Sequence, residues 1–284
     1  MENKEIQVHS DHEFIENLEA QMEQAYSKFI FINEEFDRCE PDSQTSRASR
    51  IVTLELIASI KNILDQITFE VWSSIFGEDG NEKVAKDVYY PYAADEQMFR
   101  SALGKITKNL AVSNSSENVE KFTDWLRSTQ PFGGIDWSLV TVGKLSRLHH
   151  RKLIDQKKTR CYTVEAYSPG GGGASMTFHS KPGPFTIWTY TGRAGVSTGM
   201  GKYPIVNKEE DPDGKVVVHR FNPETMDFAH VEGARTSVSE FMECNVEDMH
   251  FDALDLFQRS LAAVGEIVEI SRDGGYLGTA SSDA

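Results

Sequence analysis

The sequence predicts an α+β protein: an N-terminal helical hairpin or bundle followed by an antiparallel β-sheet and a C-terminal helix. Three observations lead to this prediction. In the first half of the chain, apolar residues recur at spacings of three and four, the period of an amphipathic helix. After residue 158 the chain changes to short β-branched and aromatic runs between glycine- and proline-rich turns. The helical period then returns near the end, so the order is not an alternation of strand and helix.

The first two predicted elements are long amphipathic helices. Residues 12–37 and residues 47–76 each carry one apolar stripe. Pro41 and the Ser- and Asp-rich residues 41–46 interrupt the pattern between them. Because this break is short, we expect the two helices to form an antiparallel hairpin.

Three shorter helices are predicted before the sheet. A turn-rich connection leads into helices over residues 95–110 and 116–127. Asp136 is expected to cap a further helix over residues 137–155, which contains the most basic part of the chain.

The rest of the chain is predicted to be strands and one closing helix. Strands are expected in the runs CYTVEAY, FTIWTY, KVVVHRF and SVSEFMEC, and a helix over residues 250–271. We therefore predict a helical region at 1–158 and a β-rich region with its closing helix at 159–272. The two should pack as one unit, and residues 273–284 should form a flexible tail.

Composition excludes several classes of protein. The 284 residues include 29 basic and 44 acidic side chains, a formal charge of -15, which argues against coating duplex nucleic acid or an anionic membrane. Three widely separated cysteines exclude a disulfide scaffold and a multi-cysteine zinc site. No apolar stretch is long enough for a membrane helix, and the N-terminus lacks the order of a signal peptide. We expect a cytoplasmic protein that does not bind membranes.

Positive charge is concentrated in residues 144–160, KLSRLHHRKLIDQKKTR, which carry a local charge of +6. Residues 1–44 are the opposite pole, at -9. At 100° per residue, Lys144, Arg147 and Arg151 fall on one helical stripe, and His150 lies about 60° from Arg147. His149 lies on the apolar side, so we expect it to be buried.

These positions predict an anion site formed by Lys144, Arg147, His150 and Arg151. Arginine presents planar donors to phosphate or carboxylate, and histidine exchanges a proton near neutral pH. The alternative is that the basic face pairs with the acidic N-terminal helix or is simply solvated, since exposed ion pairs contribute little.

Other motifs give weaker signals. Residues 195–203 resemble a phosphate-binding loop, but five residues separate the glycines and Tyr203 stands where Ser or Thr is needed. The glycine run at 170–173 is expected to be a surface loop. His219 and His230 lack the tight spacing of metal ligands. We therefore predict neither a metal nor a cofactor.

The motif order resembles that of an uncharacterised bacterial family. That family has a QPY-x-GG turn followed by a helix with a DKHR pattern. Here a Tyr-Pro-Tyr segment at 90–92 and a Gln-Pro-Phe-Gly-Gly turn at 130–134 stand in the matching order, and HHRK at 149–152 replaces DKHR. The resemblance covers residues 47 to 270 and implies a bacterial protein, without an established activity.

The helical half is also similar to HEPN proteins, whose ribonucleases use an R-x4-6-H motif. No arginine stands at the required distance before His149 or His150; Lys144 is the nearest base.

The expected function is therefore non-catalytic ligand binding or protein interaction, with a phosphate- or carboxylate-bearing ligand, or RNA, as the candidate partner. The alternative is a HEPN-like, metal-independent ribonuclease. His150 would then be the general acid or base, Arg147 or Arg151 would stabilise the phosphate, and the resemblance would imply a homodimer. A third hypothesis is an interaction module in which the acidic N-terminal helix meets a basic partner.

Overall fold

The chain is an α+β protein, which confirms the predicted class. The computed structural model describes residues 2–77, 88–107, 116–148, 154–167, 173–178, 186–190, 193–197, 217–222, 227–228, 234–247 and 249–277. Helices come first, antiparallel strands follow, and a helix ends the described chain. Within these ranges, no helix has both the length and the apolar character needed to cross a bilayer.

Helices α1 (Glu2–Arg38) and α2 (Arg47–Phe76) form the predicted hairpin. Two hydrogen bonds show that they run antiparallel: Lys28 Nζ donates to Ser59 Oγ at 2.7 Å, and Gln21 Nε2 donates to Gln66 Oε1 at 2.8 Å. The predicted bounds of the second helix are confirmed, and its first turn is capped by the Ser46 hydroxyl. Much of the two apolar stripes is buried, including Leu18, Ala25, Ile32, Ile57, Leu64, Ile67 and Val71, whereas Ile51 of the predicted stripe is 39% exposed.

Three shorter helices follow: α3 (Glu96–Thr107), α4 (Ser116–Ser128) and α5 (Ser138–Leu148). A single 3-10 turn, Pro131–Gly133, lies between α4 and α5. Gly134 ends this turn at φ 122°, a backbone conformation that favours glycine. The predicted end of the last of these helices is wrong, because Ile154 is not helical and Asp155 begins a strand.

Two of the segments on which the family resemblance rests pack against each other. Tyr90 is buried, and its hydroxyl donates to the Thr129 carbonyl oxygen. Ala93 N donates to Gln130 Oε1 at 2.9 Å, and the same amide donates to the Leu126 carbonyl at 3.1 Å. The segment that contains Tyr90 and Ala93 is therefore fixed to the turn before α5.

The described strands are β1 Asp155–Tyr167, β2 Gly173–Phe178, β3 Thr186–Tyr190, β4 Arg193–Ser197, β5 Val217–Asn222, β6 Asp227–Phe228, β7 Ala234–Val246 and β8 Met249–Asp252. They form two four-stranded sheets, ordered β2-β1-β7-β8 and β4-β3-β5-β6. The strand pairs β1–β2, β3–β4, β3–β5 and β5–β6 are antiparallel. Closing helix α6 (Ala253–Asp273) starts later than predicted because the preceding residues form β8.

The chain forms two compact units. The first comprises Met1–Cys39, Thr45–Gln156 and Cys244–Ala284, and the second comprises Glu40–Gln44 and Lys157–Glu243. The first unit contains all of the described helices, and α6 packs there against α1, α2 and α5. The helical order continues to Asp273 and Leu277 is 3% exposed, so the start of the predicted tail is packed. Residues 278–284 lie outside the described chain.

Candidate anion-binding site

The candidate site is the exposed face of α5. The helix starts beside Asp136, whose Oδ1 accepts a hydrogen bond from Ser138 N at 2.7 Å, as the sequence predicted. One side of the helix is buried, through Leu139, Val142, Leu145 and Ser146. Lys144 and Arg147 are exposed and stand three residues apart, so they share one side of the last two turns.

Half of the predicted site can be located. Lys144 and Arg147 lie on α5, whereas His150 and Arg151 lie outside the described residues. His149 and Lys152 also fall in that gap. The described part of the site is therefore a lysine and an arginine at the carboxyl end of a helix.

The rest of the basic segment does not continue this helical face. Lys158 and Arg160 lie on strand β1, in the second compact unit. Both pair with Glu240: Lys158 Nζ is 2.9 Å from Oε2, and Arg160 Nε donates to Oε1 at 2.8 Å. These two hydrogen bonds hold the pKa of Glu240 below its ordinary value. Lys157 lies 3.6 Å from Glu243. The positive charge of residues 144–160 is therefore divided between α5 and strand β1.

Lys144 and Arg147 differ from most other bases because neither forms an ion pair with a described residue. Paired side chains elsewhere include Arg38, Lys61, Arg100, Lys121, Arg127, Arg235, Arg259 and Arg272. The acidic N-terminal helix, which was the internal partner in the alternative interpretation, uses Glu19 to bind Arg272 of α6 at 3.1 Å. Pairing of Arg147 with α1 is therefore not seen among the described residues.

Tyr92 packs directly on this helix. A Cβ atom at Gly143 would lie 2.5 to 2.9 Å from Cγ, Cβ and Cδ1 of Tyr92, so only glycine permits the contact. Tyr92 has φ 51°, a strained value for a residue with a side chain. Its ring meets Tyr90 edge-on, with the centroids 4.9 Å apart. Gly143 and Arg147 stand one turn apart, so Tyr92 and Arg147 belong to the same neighbourhood.

The Tyr92 hydroxyl is buried and makes no hydrogen bond with any described residue. Burial raises the pKa of this phenol well above its ordinary value, and the charges of Asp65 and Tyr90 raise it further. The positive charge of Arg147 acts in the opposite direction. At neutral pH the group is a protonated donor without an acceptor among the described residues.

Asp65 does not accept a hydrogen bond from this donor, and each of its oxygens has another partner. Oδ1 accepts the Tyr90 backbone N–H at 3.0 Å, and Oδ2 pairs with Lys61. The sequence analysis missed Tyr92 and Asp65. The available signal was a Tyr-Pro-Tyr segment, together with a glycine in the middle of a basic amphipathic helix.

The other motifs gain little support as sites. His219 lies on strand β5, while His230 and the glycine loop at 170–172 lie outside the described residues. Gly195 lies within strand β4, and residues 198–203 also lie outside. In the part of the chain that the structure describes, no three His, Cys, Asp or Glu side chains are grouped as metal ligands would be.

The resemblances to the uncharacterised bacterial family and to HEPN proteins stay predictions. No family model, no curated protein and no solved structure matches this chain.

Proposed function

We propose that this chain is a non-catalytic ligand-binding protein, and that the exposed end of α5 binds a small ligand bearing a phosphate or carboxylate group. The observation that carries the proposal is the pair Lys144 and Arg147. Both are exposed and lack a carboxylate partner among the described residues, in a chain of net charge -15 in which most described bases are paired.

Each described group has a distinct part in binding. Arg147 offers a planar fork of N–H donors that matches two oxygens of the anion. Lys144 adds a second positive charge one turn earlier. His150 and Arg151, the next residues of the predicted site, would extend the donor set beyond the end of α5.

The proposal assigns binding and no reaction because the described groups are hydrogen-bond donors. Guanidinium and ammonium groups donate and do not accept. Burial keeps the Tyr92 phenol protonated, with a pKa well above its ordinary value, so it does not serve as a general base near neutral pH.

The test uses inorganic phosphate as the probe, titrated into the full chain and followed by the phosphorus NMR line width. In Arg147→Ala we expect the affinity to fall about tenfold, because a hydrogen bond to a charged group contributes about 1.5–3 kcal/mol. Lys144→Ala should also weaken binding. Raising the salt concentration should weaken binding in the unmodified protein, since exposed charges are screened.

The matched control is Lys105→Ala. Lys105 is also an exposed lysine in the last turn of a helix, α3, and has no ion pair with a described residue. Its replacement should leave phosphate binding unchanged. Equal losses in Lys105→Ala and Arg147→Ala, or no binding at low salt, would contradict the proposal. Cleavage of RNA that depends on His150 would support the ribonuclease hypothesis instead.

A further inference from the structure

Helix α1 carries an exposed apolar pair on the flank that faces away from α2. Tyr26 is 44% exposed and Ile30 is 56% exposed. They stand four residues apart, so their side chains are neighbours on successive turns. Lys28, which donates to Ser59 of α2, lies about 160° from both of them at 100° per residue. The apolar pair is therefore on the side of α1 opposite to its contact with α2.

Carboxylates border this pair at both ends. Glu23 stands three residues before Tyr26, and Asp37 stands seven residues after Ile30, so all four lie along one side of the helix. Both carboxylates are exposed. From Glu23 to Asp37 the surface is about 21 Å long, at 1.5 Å per residue. It consists of an apolar centre with an acidic group at each end.

The charge of these two carboxylates is not neutralised by any described base. Between residues 13 and 37, α1 has seven acidic side chains and one base, Lys28, which lies on the flank next to α2. Two arginines that reach α1 bind other carboxylates: Arg38 pairs with Glu34 and Glu35, and Arg272 pairs with Glu19. Neither Glu23 nor Asp37 forms an ion pair with a described residue, so both can pair with bases of another molecule.

We propose that this face of α1 docks a basic amphipathic helix of a partner protein. Charge complementarity selects the partner, because lysine or arginine beside an apolar seam would meet Glu23 and Asp37 while the seam covers Tyr26 and Ile30. A length of about 21 Å matches about four turns of the partner helix.

Other occupants of this face meet the wrong charge. Residues 1–44 carry a charge of -9, so two copies of this helix would repel each other. Nucleic acid and anionic membranes are repelled for the same reason. The face is separate from the anion site proposed on α5 and does not depend on it.

The experiment compares three fluorescently labelled peptides of 18 residues, built from leucine, alanine and one charged residue type. The first has leucine on one helical face and lysine on both flanks. The second has the same residues in an order without an apolar face, and the third has glutamate in place of each lysine. Each is titrated with the full chain and followed by fluorescence anisotropy. The first should bind about tenfold more tightly than the second, because only the first covers the apolar pair, and the third should not bind.

Three variants test the apolar centre and the charge separately. Ile30→Ala should weaken binding of the first peptide about tenfold, since a largely exposed side chain that the peptide buries is removed. Glu23→Gln and Asp37→Asn should each weaken it about twofold to fivefold, the range for an exposed ion pair. In the unmodified protein, the NMR signals of the Ile30 methyl groups should shift when the first peptide is added.

The matched controls are Ile51→Ala and Glu55→Gln on α2. Ile51 is 39% exposed, and Glu55 is an exposed carboxylate. Because α2 packs on the opposite flank of α1, neither change should affect peptide binding.

The inference is overturned if the second peptide binds as tightly as the first, if the Ile30 signals do not move, or if a control loses as much affinity as its partner. Self-association of the chain that Ile30→Ala abolishes would identify a second copy as the occupant and would also overturn it. Arg147→Ala should leave peptide binding unchanged, so failure here is distinct from failure of the phosphate site.

Discussion

Replacing Tyr92 with phenylalanine should stabilise the protein. The side chain is 6% exposed, and its hydroxyl makes no hydrogen bond with a described residue. A buried polar group without a partner costs about 1–3 kcal/mol of stability. The Tyr92→Phe variant removes that cost and keeps the ring, so the contact with Gly143 and the edge-on pair with Tyr90 are retained. We expect the free energy of unfolding to rise by about 1–2 kcal/mol.

Tyr90→Phe provides a control of opposite sign. The two rings are in contact and both are buried, but the Tyr90 hydroxyl donates to the Thr129 carbonyl oxygen. Removing this donor leaves a buried carbonyl without its partner, which should lower the free energy of unfolding by about 1–2 kcal/mol. The same chemical change, made at two adjacent rings, should therefore move stability in opposite directions.

The assay is urea unfolding of both variants without ligand, at pH 7, followed by circular dichroism. Because the variants keep the same fold, the slope should not change and the midpoint reports the sign directly. Loss of stability in Tyr92→Phe comparable to that in Tyr90→Phe would refute the reasoning.

Two further predictions concern the polar contacts that hold the helical unit. Although desolvation opposes it, hydrogen bonds from Ser138 and Arg259 lower the pKa of Asp136, so this carboxylate stabilises the fold above its ordinary pKa of about 4. At pH 7, the Asp136→Asn variant should be less stable than the unmodified protein by under about 1 kcal/mol, since the Asp136–Arg259 pair is largely exposed. The difference in melting temperature between the two proteins should vanish as the pH falls from about 4 through the lowered pKa of Asp136. Thr53→Val should destabilise the protein by about 1–3 kcal/mol in urea unfolding, because Gln156 Nε2, in a fully buried side chain, donates to the Thr53 hydroxyl at 2.7 Å. A loss under about 0.3 kcal/mol would contradict this hydrogen bond.

Helices whose apolar period fills a core could be predicted from the sequence, and the end of α5 could not. The run after Leu148 continues the amphipathic pattern, so local periodicity favours a longer helix. The strand that begins at Asp155 is instead fixed by partners distant in sequence. Thr45 N donates to the Gln156 carbonyl at 3.0 Å, and the Gln156 side chain bonds the hydroxyl of Thr53. Tertiary hydrogen bonds of this kind override local propensity, and no local pattern contains them.

Part of the candidate site could likewise be predicted from the sequence, and part could not. The exposure of Lys144 and Arg147 follows from helical geometry and could be predicted. The pairing of Lys158 and Arg160 could not, because their partner Glu240 is contributed by another strand. Tyr92 could not be predicted as part of the site either, since its place there depends on contact with a helix some fifty residues later.

Basic side chains at the end of a helix have a structural explanation that needs no ligand. The carboxyl end of a helix carries a partial negative charge, so lysine and arginine are favoured in the last turn, and a bound anion is disfavoured there. Lys105 on α3 and Arg147 on α5 both fit this explanation. What distinguishes α5 is a second exposed base, Lys144, one turn before Arg147; neither of the two has an ion pair with a described residue. The helix dipole predicts equal behaviour of Lys105→Ala and Arg147→Ala in phosphate binding, whereas the proposed site predicts a loss in Arg147→Ala and none in Lys105→Ala.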